Sequence, residues 1–390
     1  MSMVEWKKLG DIMNIVRGAS PRPIKNYITP SKNGVNWIKI GDVAPGAKYI
    51  TSANEKITKE GAEKSRFMHS GDFILSNSMS FGRPYILKID GCIHDGWIAM
   101  SNFEKYVSSG YLYEILNSNN VQDYWKMKAN NGGAMTNLNS DIVRDTVIPI
   151  PSLSEQQRIV GILDTFTASI DNLKEQIAQR RKQYEYYRDQ LLDLEGKEGV
   201  EMKTLGEIGE FIRGNGIQKT DFVDEGFGCI HYGQIHAKYG FSATETISKI
   251  GVSLYNRCKK AKKEDVVLAT TSEDAEGVAK PFVWLGEEDA AVSGDAFIFH
   301  HNQNGKFMGN QFLTHRFMQF KLKYATGAKV VRISGENMSK FEVPLPSIEE
   351  QSHIVSILDT FESSITNLES QLSQREKQYE YYRNKLLTFE

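Results

Sequence analysis

The chain has 390 residues, and its 47 lysines and arginines nearly balance its 49 aspartates and glutamates, which gives a formal net charge of −2. This balance excludes a uniformly basic surface, so any nucleic-acid binding must come from local patches. Three cysteines without metal-type spacing argue against a disulfide framework. The sequence has no apolar run of about 18 residues, which argues against a membrane span. We therefore expect a cytoplasmic protein with no membrane partner.

The first stretch, residues 1–148, is predicted to be a mixed globule. Short runs of strand-forming residues are bounded by Gly, Pro, Asn or Asp. Predicted strands cover 36–40, 72–75, 84–89 and 97–101, and a helical segment follows near 110–128. This composition indicates an α+β domain with long loops.

Residues 149–195 predict one long helix. Apolar residues recur at alternating steps of four and three, which is a heptad seam for packing against another helix. The predicted seam begins with Ile159, Leu163, Phe166, Ile170 and Leu173. Pro151 and Ser152, with Glu155 at capping-box spacing, mark the start. A helix over 154–195 would be about 60 Å long at ~1.5 Å per residue and would need a partner along its length.

The second stretch, residues 196–343, opens with the linker Gly196-Lys197-Glu198-Gly199 and is predicted to be a second globule. Its opening, Leu205-Gly206-Glu207-Ile208, echoes Leu9-Gly10-Asp11-Ile12 of the first. Predicted strands cover 228–232, 265–269, 281–285 and 296–300, and a helical segment lies near 308–324. Between such matching points the similarity of the two globules fades.

Residues 344–390 repeat 149–195 at a separation of 195, and 29 of the 47 aligned positions are identical. The second seam has Ile354, Leu358, Phe361, Ile365 and Leu368. We expect the helices near 154–195 and 349–390 to pair antiparallel. Arg180 and Arg375 occupy the same seam slot, either as a device that sets register or as long side chains that cover the seam.

The sequence lacks recognisable catalytic motifs. It has no phosphate-binding Gly-x-x-x-x-Gly-Lys-[Ser/Thr] loop and no Pro-Pro pair of the kind an amino-methyltransferase signature contains. His94, His231, His236 and the pair His300-His301 lack ligand spacing or a nearby nucleophile motif. We predict no catalytic residue and no metal site in this chain.

Polar loops in both globules carry side chains that hydrogen-bond base edges or bind phosphates. A charge run is usually a solvated face, but these clusters fall on loops of two related globules, which favours nucleic acid. The candidates in the first globule are Arg17, Arg22, Lys25, Asn77, Ser78, Arg83, Thr136 and Asn137. Those in the second are Arg213, Asn215, Gln218, Lys219, His231, Tyr232, Gln234, Lys329 and Arg332, with Lys259, Lys260, Lys262 and Lys263 as phosphate contacts.

The whole chain resembles the DNA-specificity subunit of type I restriction–modification enzymes. The resemblance rests on the Trp-x-x-Leu-Gly-Asp-Ile opening at Trp6 and on Ile-Pro-Ile-Pro at 148–151 followed by Glu155-Gln156. The second copy has Val-Pro-Leu-Pro at 343–346 followed by Glu350-Gln351, and departs from the first at Ser352 and His353.

This resemblance implies two target-recognition domains, 1–148 and 196–343, and two spacer helices, 149–195 and 344–390. It implies an antiparallel intramolecular coiled coil and a pseudo-two-fold internal repeat. The target would be a bipartite sequence in double-stranded DNA. Two modification subunits would bind S-adenosylmethionine and methylate adenine. Restriction subunits would add translocation and cleavage with ATP and Mg²⁺. The chain itself would hold no cofactor.

Two other classes of function stay open. One is a coiled-coil scaffold or adaptor that joins two domains which do not bind DNA. The other is an enzyme whose site is not recognisable from sequence. Salt-dependent DNA binding would argue against the scaffold, and methyl transfer by the isolated chain would favour the enzyme.

Overall fold

The computed structural model describes residues 4–44, 46–77, 81–130, 137–327 and 330–389. The chain forms two compact units. Unit 1 comprises Met1–Lys174 and Gln371–Glu390, and unit 2 comprises Glu175–Ser370. Each unit therefore holds one globule with parts of both long helices.

The globule of unit 1 contains eleven short strands and five helices in its described residues. The strands are β1 (Glu5–Lys8), β2 (Asn14–Arg17), β3 (Val35–Ile38), β4 (Tyr49–Ile50), β5 (Glu55–Ile57), β6 (Arg66–Met68), β7 (Phe73–Ser76), β8 (Pro84–Leu87), β9 (Gly91–Ile93), β10 (Trp97–Ser101) and β11 (Val147–Ile150). The helices are α1 (Leu9–Ile12), α2 (Lys59–Glu63), α3 (Ser109–Leu116), α4 (Asn119–Asn130) and α5 (Ser140–Arg144), with 3-10 turns at Ile24–Asn26 and Ile40–Asp42.

Two sheets organise this globule. One has the order β2-β10-β7-β8-β4 and the other the order β5-β3-β9-β6. Strand β7 is buried on both faces: Phe73 and Leu75 join the cluster under the helices, and Ile74 joins a second cluster on the opposite face. A strand that is covered on both sides needs a continuous apolar run. That run is visible in the sequence, and the strand could therefore be predicted. A separate two-stranded ladder of β1 and β11 joins the start of the globule to its end.

The globule of unit 2 contains fourteen strands and six helices in its described residues. The strands are β12 (Glu201–Thr204), β13 (Gly209–Arg213), β14 (Phe222–Val223), β15 (Phe227–Ile230), β16 (Ser242–Ala243), β17 (Ser248–Ile250), β18 (Lys260–Ala261), β19 (Val266–Ala269), β20 (Thr271–Ser272), β21 (Lys280–Trp284), β22 (Ala290–Val292), β23 (Ala296–His301), β24 (Val331–Arg332) and β25 (Glu342–Leu345). The helices, numbered after the first long helix α6 (Leu153–Leu192), are α7 (Leu205–Ile208), α8 (Tyr232–Ala237), α9 (Val252–Arg257), α10 (Gly305–Gln311), α11 (His315–Tyr324) and α12 (Gly335–Met338), with a 3-10 turn at Lys219–Asp221.

The second globule repeats the topology of the first, with one additional edge strand, β14, in its second sheet. Its sheets have the orders β13-β23-β19-β21-β16 and β14-β17-β15-β22-β18, and β12 pairs with β25 as β1 does with β11. Strand β19 is again buried on both faces, with Val266 and Leu268 in one cluster and Val267 in another. The fold is therefore duplicated even where the sequences have diverged, and the predicted strands are confirmed within a few residues.

Each predicted helical segment inside a globule is in fact two helices. In unit 2 the break falls between α10 and α11, where the hydroxyl of Thr314 accepts a hydrogen bond from the backbone N–H of Phe317 at 3.2 Å and starts a new helix. In unit 1 the break lies between α3 and α4. A capping hydroxyl inside an apolar segment thus outweighs the helical periodicity around it.

The two long helices are α6 and α13, and α13 spans Ile348–Leu386. Ser152 accepts from the backbone N–H of Glu155 at 3.3 Å and Ser347 accepts from that of Glu350 at 3.2 Å, so both helices have hydroxyl N-caps. Both end a few residues before the predicted limits. Gly196 follows the end of α6 with φ of +76°, a left-handed conformation that glycine adopts without strain. Within the described ranges, no helix has the length and apolar character needed to cross a membrane.

Inside each unit the long helices pack antiparallel, as expected. In unit 1 Phe166 stacks on Tyr382 with ring centroids 5.3 Å apart, and in unit 2 Tyr187 stacks on Phe361 at 5.4 Å. Early seam residues pack into the globules as well as along the helices. These are Ile159 and Leu163 in unit 1 and Ile354 and Leu358 in unit 2. Ile170 is buried farther along, while Leu173, Ile365 and Leu368 are half-buried.

The two seam arginines make different contacts. The Cζ of Arg375 lies 5.8 Å from the ring centroid of Phe166 in unit 1. Arg180 donates to the side-chain oxygen of Gln183 on its own helix at 3.1 Å. The contact of Arg375 favours the interpretation that this long side chain covers the seam, because an arginine stem packs on apolar surface while its charge stays in water.

The end of each long helix is tied to a globule by hydrogen bonds at equivalent positions. In unit 1 the hydroxyl of Tyr379 donates to Glu114 on α3 at 2.8 Å, and in unit 2 Tyr184 donates to Asn310 on α10 at 3.1 Å. Burial raises the pKa of Glu114. The tyrosine is shared by both copies, and the acceptor has diverged.

A buried glutamine locks the start of each long helix to its globule. Gln156 is 0 % exposed; its Nε2 donates to the carbonyls of Tyr106 and Pro151, and its Oε1 accepts from the backbone N–H of Ser108. Gln351 does the same in unit 2: it accepts from Asn304 and donates to the carbonyl of Pro346. The glutamine of the Glu-Gln motif therefore has a structural role in each unit.

We predict that Gln156→Ala lowers the free energy of unfolding by about 1–3 kcal/mol, because the backbone groups that it satisfies would be left buried without partners. Chemical denaturation followed by circular dichroism measures this change. The neighbouring exposed residue provides the control, since Gln157→Ala should change stability by less than about 0.5 kcal/mol. Equal effects of the two variants would contradict the structural role of Gln156.

Candidate nucleic-acid interface

Each unit has a polar cleft at the end of one strand, which is β2 in unit 1 and β13 in unit 2. The cleft of unit 2 encloses about 420 Å³. It is lined by Arg213, Gly214, Gly216, Ile217, Gln218, Tyr232, Ser293, Gly294 and Asp295. Three of the predicted contact residues, Arg213, Gln218 and Tyr232, therefore meet at one place.

The cleft of unit 1 encloses about 480 Å³. Its lining residues are Val16, Arg17, Arg66, Asn77, Ile98, Asn137, Leu138, Asn139, Ser140, Asp141 and Arg144. Arg17, Asn77 and Asn137 were predicted contacts, whereas Arg66, Asn139 and Arg144 were not. They come from a strand and a helix far along the chain, and no local motif marks them.

An Arg-Gly pair is held in the same way in both clefts. The Nε of Arg213 donates to the carbonyl of Gly294 at 2.9 Å, and that of Arg17 donates to the carbonyl of Asp95 at 2.9 Å. The next residue must be glycine, because a Cβ at Gly214 would lie 2.3 Å from the carbonyl oxygen of Ser293. The terminal nitrogens of each fixed guanidinium carry four further N–H donors.

A second loop joins each cleft from the far end of the globule. In unit 2, β24 pairs with β20 so that Arg332 lies opposite Thr271, whose hydroxyl is 3.4 Å from the carboxylate of Asp295. In unit 1, the backbone N–H of Leu138 donates to the carbonyl of Asn77 at 2.9 Å. Both Arg332 and Asn137 are exposed. Asn137 lines the cleft of unit 1, whereas Arg332 lies beside the cleft of unit 2 through its pairing with Thr271.

A buried lysine fixes the loop that follows β20. Lys321 on α11 is 3 % exposed, and its Nζ donates to the carbonyls of Glu276 at 2.6 Å and Val278 at 2.9 Å. Burial lowers the pKa of Lys321 to about 8. In unit 1 the matching helix α4 holds the corresponding loop through Gln122, which donates to the carbonyl of Gly82 at 3.1 Å. Both units thus brace this loop, with different chemistry.

Three predicted contact residues are buried and make hydrogen bonds within the protein, and their role as DNA contacts stays a prediction. His231 accepts from the backbone N–H of Gly233 at 3.1 Å and caps α8, and burial lowers its pKa. Gln234 donates to Ser248 at 2.7 Å, and Asn77 donates to the carbonyl of Asp95 at 3.2 Å. These polar groups satisfy the turns of the protein itself.

Other predicted contact residues interact with neighbouring groups of the protein. The side-chain oxygen of Asn215 accepts from the backbone N–H of Lys259. Lys260 lies 4.7 Å above the ring of Tyr255, and Arg83 lies 5.8 Å from that of Tyr85. In the basic run, Lys263 pairs with Glu287 at 2.6 Å.

The remaining candidates fall into two groups. Exposed side chains belong to Arg22, Lys25, Gln218, Lys219, Lys259 and Lys262. Ser78, Thr136 and Lys329 lie outside the described residues.

Sequence reasoning missed the acid that organises the first cleft. Asp95 accepts from the hydroxyl of Ser20 at 2.8 Å and lies 3.4 Å from Arg22. The hydrogen bond from Ser20 lowers the pKa of Asp95. These partners are more than 70 positions away in sequence, so local patterns could not reveal the pairing.

The histidines do not assemble a recognisable catalytic or metal centre in the described residues. His300 lies 2.7 Å from the buried carboxylate of Asp265, which also accepts from the backbone N–H of Lys262 and shapes the turn before β19. Within the described ranges, no three His, Cys, Asp or Glu side chains come together as metal ligands would.

Comparison with known proteins identifies the class that this duplicated fold represents. The model of the family described as type I restriction modification DNA specificity domain matches residues 1–180 and again residues 197–376. The two matches cover most of the chain. The protein therefore belongs to this family, as its motifs and duplicated sequence predicted.

Individual specificity subunits are also similar to this chain in sequence. A putative type I restriction enzyme specificity subunit of Haemophilus influenzae, S.HindORF215P, is 27 % identical over 408 aligned positions, which span 100 % of this chain and 96 % of that protein. The EcoR124I/EcoR124II specificity subunit of Escherichia coli is 34 % identical over 259 positions, which span 62 % of this chain and 63 % of that protein.

Solved structures share the fold. A chain from a study of complex assembly and conformational transition in the type I R-M system has a TM-score of 0.66 at 18 % identity, with 98 % of this chain and 96 % of that chain covered. The HsdS subunit from Thermoanaerobacter tengcongensis gives a TM-score of 0.51 at 17 % identity, with the same coverage of both chains. The predicted α+β fold with its internal repeat is confirmed.

We predict a pH-dependent contribution of Lys321 to stability. Its pKa is lowered from 10.5 to about 8, so between these values the folded protein binds fewer protons than the unfolded chain. The cost of burying its charge is therefore fully present below pH 8 and is relieved as the pH rises. The melting temperature of the wild type should rise relative to that of Lys321→Met between about pH 8 and pH 10.

Differential scanning calorimetry over this pH range measures the difference. Lys323→Met, an exposed substitution on the same helix with the same change of charge, is the control and should give a flat difference. A flat difference for Lys321→Met would show that its ammonium group is not buried as described.

Proposed function

We propose that this chain is the non-catalytic specificity subunit that reads a bipartite double-stranded DNA target, one half-site with each globule. Membership of the specificity family supports the general function. The observation that carries the finer proposal is the cleft built twice on one topology, with the same Arg-Gly anchor and different surrounding side chains. A shared scaffold with divergent polar loops is what recognition of two different half-sites requires.

The side chains at the clefts suit base and phosphate recognition. Exposed Gln218 and Arg332 carry amide and guanidinium groups, which make paired hydrogen bonds to adenine and guanine edges in the major groove. Lys259 and Lys262 supply positive charge that would attract the phosphates of the DNA backbone. Because the net charge of the chain is −2, such local groups must provide its electrostatic attraction to DNA.

Both long helices expose aromatic side chains at equivalent positions, and we assign these to partner subunits. Tyr186 is 61 % exposed and Tyr381 is 59 % exposed, each beside a partly buried aromatic stack of its unit. Large exposed aromatics are characteristic of protein interfaces. A surface that occurs twice fits two copies of one partner, the modification subunit.

Catalysis would then belong to the partners. In this proposal the modification subunits hold S-adenosylmethionine and methylate adenine, and restriction/translocase subunits use ATP and Mg²⁺. The specificity chain supplies the position of the assembly on DNA.

We predict that Gln218→Ala or Arg332→Ala relaxes base preference in one half-site and leaves the other half unchanged. Loss of a paired base contact should cost about 1–3 kcal/mol, or roughly 5- to 150-fold in discrimination. Methylation by the assembled complex on substrates mutated in either half-site measures the effect.

Asn137→Ala in unit 1 is the reciprocal control, since it should relax the opposite half-site. Lys259→Ala should weaken binding to all sequences and reduce its salt dependence. Unchanged preference in every variant, or equal relaxation of both halves, would exclude these loops as reading elements. DNA binding without salt dependence would instead favour a scaffold.

We predict that Tyr186→Ala and Tyr381→Ala each weaken the binding of one modification subunit by about 10- to 100-fold, since a buried aromatic anchor contributes on the order of 2 kcal/mol. Native mass spectrometry should show a shift from two bound subunits toward one in each single variant. Phe67→Ala, an exposed aromatic on a globule, should leave two bound. Full occupancy in both tyrosine variants would exclude this surface as the docking site.

A further inference from the structure

The aromatic contacts between the long helices do not distinguish one helix from the other. Phe166 and Phe361 are equivalent positions of the repeat, as are Tyr187 and Tyr382. The stack of Phe166 on Tyr382 in unit 1 therefore matches the stack of Phe361 on Tyr187 in unit 2. A pairing of α6 with α6 of another molecule would bring together the same residue types.

Four charged positions do distinguish the helices. In unit 1 the Nζ of Lys174 lies 3.6 Å from the carboxylate of Glu376, and in unit 2 Arg181 pairs with Glu369. Position 174 is equivalent to 369, and position 181 is equivalent to 376. Helix α6 is thus basic at both positions, and α13 is acidic at both.

The consequence follows from the antiparallel register. If α6 packed on a second α6 in the same register, Lys174 would face Arg181 twice. If α13 packed on a second α13, Glu369 would face Glu376 twice. Among the three pairings, the combination of α6 with α13 alone places opposite charges at both sites.

We propose that these four residues form a selectivity device that directs α6 to pair with α13 of the same chain and opposes self-pairing of either helix between molecules. The side chains are 42–61 % exposed, so each attraction is weak and falls with salt. Selectivity comes from the difference between attractive and repulsive pairings, as in coiled coils that choose partners by flanking charges. The result is a molecule that carries two different globules rather than two copies of one.

The first test uses charge reversal in the full chain. K174E/R181E makes all four positions acidic, and E369K/E376R makes all four basic. Each double variant should melt about 2–5 °C below the wild type at low salt, and the quadruple variant should regain the wild-type value. K182E/K377E makes the same total change of charge at exposed positions of the same helices and should have little effect.

The second test addresses selectivity between molecules. The acidic and basic double variants, co-expressed and purified together, should form a species of twice the 44.1 kDa chain mass, because α6 of one chain now complements α6 of the other. Light scattering after size-exclusion chromatography measures the mass. Either double variant expressed alone should not form this species, and high salt should dissolve it.

Three results would overturn the proposal. The first is a melting temperature of the double variants equal to that of the wild type. The second is a quadruple variant whose melting temperature stays below that of the wild type. The third is a mixture of the two double variants that forms no more dimer than each variant forms alone. None of these outcomes depends on DNA recognition, so they are independent of the proposed function.

Discussion

The structure depends on one constraint, which is that the apolar seam of a 40-residue helix must be covered along its length. Helix α6 has a narrow apolar seam and no core of its own, so it is stable only where other elements cover that seam. In unit 1 Ile159 and Leu163 are buried in the globule core, which also contains Leu387, the residue that follows α13. In unit 2 the start of α13 enters the second core in the same manner through Ile354 and Leu358. Helix pairing and globule folding are therefore coupled within each unit.

This coupling explains which parts of the two copies match. The buried glutamine at the start of each helix satisfies backbone groups of the globule, and a replacement would leave those groups without partners. The tyrosine at the other end of each helix donates to Glu114 in unit 1 and to Asn310 in unit 2. Because a tyrosine hydroxyl can donate to either side chain, the acceptor position differs between the copies. Polar loops at the clefts have few such constraints, because their exposed side chains interact with water in the free protein. They can vary while the scaffold stays the same.

The clefts show how a rigid frame presents variable chemistry. Arg213 and Arg17 are fixed by backbone carbonyls of the turn that enters the neighbouring strand, and the adjoining loop is braced by Lys321 in one unit and by Gln122 in the other. Such bracing reduces the conformational entropy lost on binding. The pairing of β24 with β20 also holds the segment that carries Arg332, and the backbone N–H of Gln218 donates to the carboxylate of Asp221, so that a change of either side chain alters contacts without moving the frame.

The heptad seams, the hydroxyl cap at Ser152 and the central strands could be predicted from sequence, because each depends on residues close together in the chain. The duplication could be predicted because its two copies align without a gap. Which polar side chains line the clefts depends on the tertiary fold. His231 and Gln234 have the same chemistry as exposed contact residues, but their side chains are buried and make hydrogen bonds to partners in the protein. Likewise, the pairing of Arg17 with the carbonyl of Asp95, 78 positions away, follows from the sheet order and not from local composition. Burial and hydrogen bonding between distant residues are set by packing, and local sequence does not encode them.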